Sequence, residues 1–428
     1  MAEKHEVHLL CLTTKKEILE EFNEIKKMCK SVKIIYKNPL KSMLNCLRFP
    51  FLPAEVAYCY SEKATKEIQN AVNKYDIDLL YLKRLRNAIH LMGYGDFIGI
   101  ASSSARWRIT RNDSIPVILD TTDAMSMFYF RMHKINSFPK NLFYLWQGVL
   151  YKRFERKIMK RIKNWIVCST VDQKYLQEFG HDVSIHVVPN PVDVNYFSPS
   201  RSSSSTSKES RSLPRHLRGV ASFSPSRSGA TPPRRSPFGH LRGEKIRGGY
   251  DNSLLFRGLM DKPVNIDAAL FFIRSIFPIV KKKVKDIKLY IVGPKPPSVI
   301  KKYDNGKDIF VTGFVQDIRK YIKETNLAIC PVRIASGTRF KILQSWSMGR
   351  PVVSTTIGAE GLLYEKDKNI AIADNPKEFA KQIINLLKNK KLYVTLAKKG
   401  RETIVREYSF KVIRQKLEEV IQNVKDIK

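Results

Sequence analysis

The chain is short of acid. Its 428 residues hold 40 Asp and Glu against 76 Lys and Arg, a formal net charge of +36. An excess of that size disfavours cationic partners and favours anions: phosphorylated small molecules, an acidic membrane leaflet or nucleic acid. Much of it is Lys in Lys/Ile/Asn-rich stretches, which a coding bias would also produce. Glycine is missing altogether before Gly93, so a glycine-rich phosphate loop is excluded from that region. The 6 cysteines, Cys11, Cys29, Cys46, Cys59, Cys168 and Cys330, form no CxxC pair and no metal-ligand spacing. Cys11, Cys168 and Cys330 sit in strand-like apolar runs, where a buried, reduced thiol is the default, and this points to a reducing compartment. No stretch reaches the roughly 18 uncharged residues of a membrane helix. The opening MAEKHEVHLLCLTT has too short an apolar run for a signal peptide. The expectation is a cytoplasmic protein, in solution or peripheral at the inner face of a membrane.

What is present is alternation. Short apolar, β-branched runs take turns with longer amphipathic ones, the pattern of βαβ units and parallel sheets. Strands are expected at Val7–Leu12, Val32–Tyr36, Asp78–Leu82, Val117–Thr121, Trp165–Ser169 and His186–Pro189. A second series follows at Ser253–Arg257, Lys288–Val292, Ile309–Thr312, Leu327–Val332, Pro351–Thr355 and Ile370–Ala373. Helices are expected between them at Ser61–Asn73, Leu142–Lys163, Asn265–Lys283, Asp317–Glu324, Thr338–Met348 and Lys377–Asn389. The reading is α/β throughout: two Rossmann-like parallel-sheet domains, 1–197 and 251–408, with a C-terminal helix over 409–428.

Between the two halves, 198–250 breaks the pattern. Ser, Arg, Pro and Gly dominate, and Arg201–Gly249 holds 11 Lys or Arg against 2 acids. Such a composition buries too little apolar surface to offset the entropy of ordering, so a disordered insertion is expected. Arg prevails here and Lys elsewhere, as for a segment of separate origin inserted where the fold tolerates it. RNA or membrane binding through this segment is the alternative to a neutral insertion. It carries no RNA-binding module beyond charge, with only Phe223 and Phe238 interleaved, so nucleic acid is not the expected partner.

Several residues suggest chemistry. Gly337 is read as opening a helix whose N–H groups and positive dipole end suit a diphosphate. Arg339 and Lys341 near that end could pair with phosphate oxygens, or lie on a solvated helix face. Gly293 and Gly313 each follow an apolar strand, and open α/β sheets bind ligands at such carboxyl ends; ordinary tight turns are the duller reading. Glu360, between Gly358 and Gly361, could reach a ligand or be merely solvated. Asp120 and Asp123 end a strand in the first half and either face an acceptor or cap the next helix.

An ordered series of motifs carries a family resemblance. Leu254–Met260 (LLFRGLM) is followed by Pro263, Asn265, Asp267–Ala268, Leu289–Gly293 (LYIVG), Val311–Val315 (VTGFV) and Cys330–Pro331. Then come Gly337–Leu343 (GTRFKIL), Met348–Thr355 (MGRPVVST) and Gly358–Leu362 (GAEGL). In this order they resemble the nucleotide-binding domain of family 4 glycosyltransferases, retaining enzymes of GT-B architecture. Upstream, Pro189–Asn190, Val192–Asp193 and Phe197 are similar to the family's hinge, and Pro116–Ser126 (PVILDTTDAMS) to a strand and loop of its acceptor domain. The resemblance implies transfer of a sugar from a nucleoside diphosphate to a glycolipid or polysaccharide acceptor, with no cofactor and no bound metal. It places Gly293, Gly313, Gly337, Arg339 and Lys341 on the donor, Gln344 on the ribose, Glu360 on the donor side, and Asp120 and Asp123 on the acceptor side.

Three departures stand out. Ser336 and Gln344 occupy the positions of two glutamates that the family separates by seven residues, and a neutral partner for the ribose is weaker than a carboxylate by about a kcal/mol. The chain starts at what corresponds to the family's second strand, Glu6–Leu12, without the first strand and its glycine-rich loop. In a doubly wound sheet that strand is central, so its neighbours should be left unpaired and apolar surface exposed. Pro191 stands in the hinge where the family has glycine. An inactive, degraded relative is therefore the second reading, and a nucleic-acid-binding protein the third.

Overall fold

The computed structural model describes residues 2–14, 23–92, 115–180, 182–199 and 252–426. All but the first residues of the expected insertion lie outside these. The chain divides into two compact units, Met1–Pro189 with Arg414–Lys428, and Asn190–Ile413.

In the first unit the strands form two separate parallel sheets. β1 (His8–Thr13) pairs with β2 (Ser31–Tyr36), His8 opposite Ser31 through Thr13 opposite Tyr36. The other sheet runs in sequence order: β3 (Leu80–Lys83), β4 (Val117–Thr122), β5 (Asn164–Val167) and β6 (Ser184–Val187). Side chains alternate across a strand, and β4 uses both faces. Leu119 packs into a core with Tyr151, Phe154, Ile158 and Trp165. Ile118 on the other face joins Ile166, Ile421 and Val424, the last two from the C-terminal helix Phe410–Asp426. Among the described residues β1 is covered less fully, its His8 ring stacking on Tyr75 at 3.8 Å between centroids. All six of its residues are half-buried, so Cys11, expected in a core, is not.

Two local devices hold the helices of this unit. Ser61 caps the helix Glu62–Lys74 by accepting from the Ala64 amide, the ordinary N-cap bond. Glu155, fully buried on the 22-residue helix Lys140–Arg161, accepts from the Ser126 amide at 3.2 Å and from the Ser126 hydroxyl. Burial pushes its pKa up to about 7 against those hydrogen bonds, because a low-dielectric site disfavours the carboxylate.

The second unit has one continuous six-stranded parallel sheet, ordered β12-β11-β10-β7-β8-β9. β7 (Ser253–Arg257) lies between β10 (Leu327–Cys330) and β8 (Lys288–Val292), and all five of its residues are buried. β9 (Ile309–Gly313) and β12 (Ala371–Ile372) form the edges, with β11 (Val352–Ser354) inside β12. Such a sheet is covered on both faces, which is why its strands read as near-continuous apolar runs.

One expected helix is interrupted. Asn265–Lys283 appears as Pro263–Phe271 and Phe277–Lys283, joined by a π turn over Phe272–Ile276. Pro278 is the cause: it has no N–H to give the preceding turn and its ring crowds that turn's carbonyl, so the ladder widens there. By length and composition the run Pro263–Lys283 could cross a bilayer, although it carries Asp267 and Arg274. Here Ala268, Ala269, Phe272, Ile276 and Val280 pack into the core of the second unit.

Candidate functional site

A cleft in the second unit opens where strands end. β7 ends at Arg257 and β8 at Val292, and glycine follows each. The Gly258 amide donates to the Val292 carbonyl at 3.1 Å, and the Gly293 amide to Gly313 at 3.0 Å. A Cβ on Gly293 would stand 1.7 Å from the Gly258 carbonyl oxygen, at a φ of +153°. Only glycine fits there. Beyond these turns the cleft is lined by Lys262, Asn265, Phe314–Gln316, Thr338–Lys341 and Gln344, and encloses about 290 Å³.

The loop before the helix Phe340–Ser347 forms one wall, and it is fixed from both sides. Asn190 Nδ2 donates to Thr338 Oγ1 at 3.0 Å. The Arg339 guanidinium folds back to donate to the Ser336 carbonyl at 2.6 Å and to the Gly337 carbonyl. Arg257 donates from Nη2 to the carbonyls of Phe340 and Lys341, each at 3.2 Å. Lys341 Nζ donates to Asn265 Oδ1 at 2.7 Å and lies 4.6 Å from the centroid of the Phe256 ring.

Charge in this cleft has one sign. Arg257, Lys262, Arg339 and Lys341 line it, and among the described residues no carboxylate does. Burial draws the Lys341 ammonium down to about 8, with Arg257 and Arg339 adding to the effect, and burial lowers Arg257 too. The Nε atoms of Arg257 and Arg339 are buried without a hydrogen-bond partner. A buried donor left unpaired costs about 1–3 kcal/mol, and an anion entering the cleft would recover part of that while easing the mutual repulsion of the cations.

Of the residues expected to bind a donor, Gly293, Arg339, Lys341 and Gln344 line the cleft. Gly313 is outside the lining. Its φ of +70° turns the chain into Phe314 and Val315, which do line it. Gly337 does not open the helix. It sits at φ +67°, a left-handed conformation that a right-handed helix cannot include. The helix begins at Phe340, after an N-cap at Arg339 whose side chain makes no cap bond. Nor is Arg339 an open cation, since two of its nitrogens already serve its own loop. Glu360 follows the short helix Thr356–Ala359 and is not part of the lining.

Asp120 and Asp123 belong to the first unit, and neither caps a helix: the N-cap of Met125–Ile135 is Ala124. Asp120 is buried and accepts from the Tyr81 hydroxyl and from Lys83 Nζ, both at 2.5 Å. Asp123 accepts from the Cys168 thiol at 3.7 Å. Arg257 went unnoticed as a site residue. Its signal was a charge at the end of an otherwise apolar five-residue strand, SLLFR, where a buried cation calls for a partner.

One comparison with known proteins falls on the same region. Residues 251–389 match the family model described as glycosyl transferases group 1. An uncharacterized 44.6 kDa protein of the cps region of Klebsiella pneumoniae is 30% identical over 148 residues. That match takes in 33% of this chain and 38% of the relative, so the chain spans well under half of its length. Among solved structures, Anabaena HepE in complex with UDP and glucose aligns with a TM-score of 0.57 at 14% identity, covering 98% of this chain and all of that one. Sucrose-phosphate synthase from Thermosynechococcus elongatus aligns at 0.59 and 12% identity, over 99% and 100% of the two chains. A glycosyltransferase from Rickettsia africae gives 0.57 and 12%, over 98% and 99%. Identities this low speak to fold alone, and the fold they share is GT-B. Residues 251–389 are thus similar to the group 1 glycosyltransferases, and the chain as a whole has the GT-B fold.

Proposed function

We propose that the protein transfers a sugar from a nucleoside diphosphate to a hydroxyl acceptor on a glycan or a lipid-linked glycan, with retention at the anomeric carbon. The observation that carries this reading is the cleft with Arg257, Arg339 and Lys341 and, among the described residues, no carboxylate, set at the carboxyl ends of β7 and β8 within the region that matches the group 1 glycosyltransferase model. Lys341 and the free Nε atoms of the two arginines hold the diphosphate, and Gln344 donates to or accepts from the ribose hydroxyls. Anionic oxygens gain most where donors are already fixed and dry. As the glycosidic bond breaks, the acceptor oxygen attacks the anomeric carbon from the face the diphosphate leaves, and its proton passes to the departing phosphate oxygen. The same cations then neutralise the product diphosphate.

Glu360 on the donor side and Asp120 and Asp123 on the acceptor side complete the proposed set. Asp120 acts by holding Tyr81 and Lys83 rather than by touching a substrate. UDP-glucose is the first donor to try, because Anabaena HepE, of the same fold, is recorded with UDP and glucose. The test is calorimetry with UDP, UMP and UDP-glucose: UDP should bind at least tenfold more tightly than UMP, and equal affinities would remove the diphosphate assignment. Donor hydrolysis, followed by release of UDP, then reads turnover.

Two observations favour a second reading, an inactive relative. Gln344 is neutral where the resemblance places a glutamate, and β1 and β2 stand apart from the other strands of their unit. Under that reading UDP binds and no sugar is released, even after Gln344→Glu.

A further inference from the structure

The first unit carries apolar surface that its own core does not use. The helix Pro39–Arg48 is amphipathic, yet Ser42 is its only buried residue. Leu40, Met43, Leu44 and Leu47, spaced i, i+3, i+4, i+7, all face out, with Leu47 79% and Leu40 71% exposed. The helix Lys140–Arg161 repeats the arrangement along its first half. Leu142, Leu145, Trp146 and Val149 have the same spacing and are exposed, Trp146 by 49%, while Gln147, Leu150 and Tyr151 face inward. Phe138, just before this helix, is 76% exposed. A soluble helix normally turns such a stripe toward the core. Single exposed apolar residues need no explanation, but two ordered stripes do.

The two stripes lie on neighbouring elements. Cys46 Sγ donates to the Ala54 carbonyl at 3.4 Å, joining the first helix to the short helix Ala54–Cys59. The Ala54 amide in turn donates to Gln147 Oε1 at 2.9 Å, and Tyr151 donates to Glu55 at 3.2 Å. Exposed cations lie near both stripes in sequence: Lys41 and Arg48 on the first helix, Lys134 on the helix Met125–Ile135 that precedes the second, and Lys140 at the second's start.

We infer that this face is a membrane-docking surface for an anionic bilayer. Leu, Phe and Trp enter the boundary between headgroups and acyl chains while the Lys and Arg rim stays at the phosphates, as for helices that lie in the interface plane. Charge decides between occupants. A second copy of a chain with net charge +36 would bring like charges together, whereas an acidic leaflet complements them. The inference stands apart from the donor cleft, which lies in the other unit.

The experiment is flotation of the full chain with vesicles of phosphatidylcholine alone or with one-third phosphatidylglycerol, at low and physiological salt. The wild type should float with the anionic vesicles and at least tenfold less with the neutral ones. Leu44→Glu/Leu47→Glu and, separately, Leu142→Glu/Val149→Glu should each reduce binding at least tenfold. These side chains are exposed, so the thermal transition and UDP binding should not change, which separates this test from the one on the donor site. Brominated phosphatidylglycerol should quench a tryptophan signal that is absent from Trp146→Tyr. Unchanged flotation of both charged variants would overturn the inference by leaving only diffuse charge attraction. A stable dimer that these substitutions dissociate would overturn it in favour of a second copy.

Discussion

The second unit threads its first strand through the middle of its sheet, and the first unit does not. β7 joins β8 on one side to β10 on the other, and all its residues are buried. In the first unit no described strand joins β1 to β3. The sheet falls into a pair and a set of four, and β1 is half-exposed along its length. Both units were built from the same alternation of strands and helices. The contrast teaches that a central strand does more than add hydrogen bonds: it makes one sheet out of two.

The largest effect expected of a single substitution lies where the continuous sheet turns into the cleft. Gly293→Val should cost the second unit on the order of 3 kcal/mol or more, because it adds both a backbone clash and a forbidden φ. Thermal unfolding with UDP protection as the readout checks it; a variant that melts like the wild type would mean that this turn relaxes easily. Next comes hydrogen exchange, which compares the units directly. Amides of β7 and β8 should exchange at least about 100-fold more slowly than those of β1 and β2, since protection follows burial and pairing on both edges. Equal protection would erase the contrast. Gln344→Glu should change turnover by about tenfold, upward if the ribose partner limits the reaction. The smallest effect concerns Glu155, whose pKa in the fold, about 7, is raised above its ordinary value. The native state then holds more protons than the unfolded chain between pH 4.5 and 7, so its stability falls as pH rises through that window. Glu155→Gln should abolish that fall, raising Tm by a few degrees at pH 8 and leaving it unchanged at pH 4.

Much of this architecture was legible in the sequence. β7 and β8 were expected with the ends they have, because a fully buried parallel strand is a short apolar run bounded by breakers, and LLFRG and YIVG are that. What escaped depended on neighbours distant in sequence. The break after Phe271 was visible in Pro278 but was outweighed by a long apolar period. Gly337 was read as a helix start from its place in a motif, whereas its φ makes it the turn before one. Arg339 counted as a phosphate ligand because it is a cation in the right place, and its bonds to the carbonyls of Ser336 and Gly337 appear only once the loop is folded. Arg257 sits inside the LLFRGLM motif with nothing in its residue type to mark it as buried. That it is buried without a carboxylate is a fact about packing, not about its own residue type. The exposed stripes on Pro39–Arg48 and Lys140–Arg161 escaped for the same reason: amphipathic spacing does not say which face turns inward.

The claim on which the rest depends is that the cations of the donor cleft serve a diphosphate. Titration calorimetry of UDP against the wild type and Lys341→Ala, between pH 6.5 and 9.5, tests it most directly. The Lys341 ammonium is depressed to about 8 by burial, and a bound anion would raise it again. Affinity should therefore fall as pH rises past about 8, and binding near that pH should take up a proton, seen as heats that depend on the buffer. Lys341→Ala should bind UDP at least tenfold more weakly and lose the proton uptake. Equal affinity for UDP in the two proteins, with heats independent of buffer, would contradict the account.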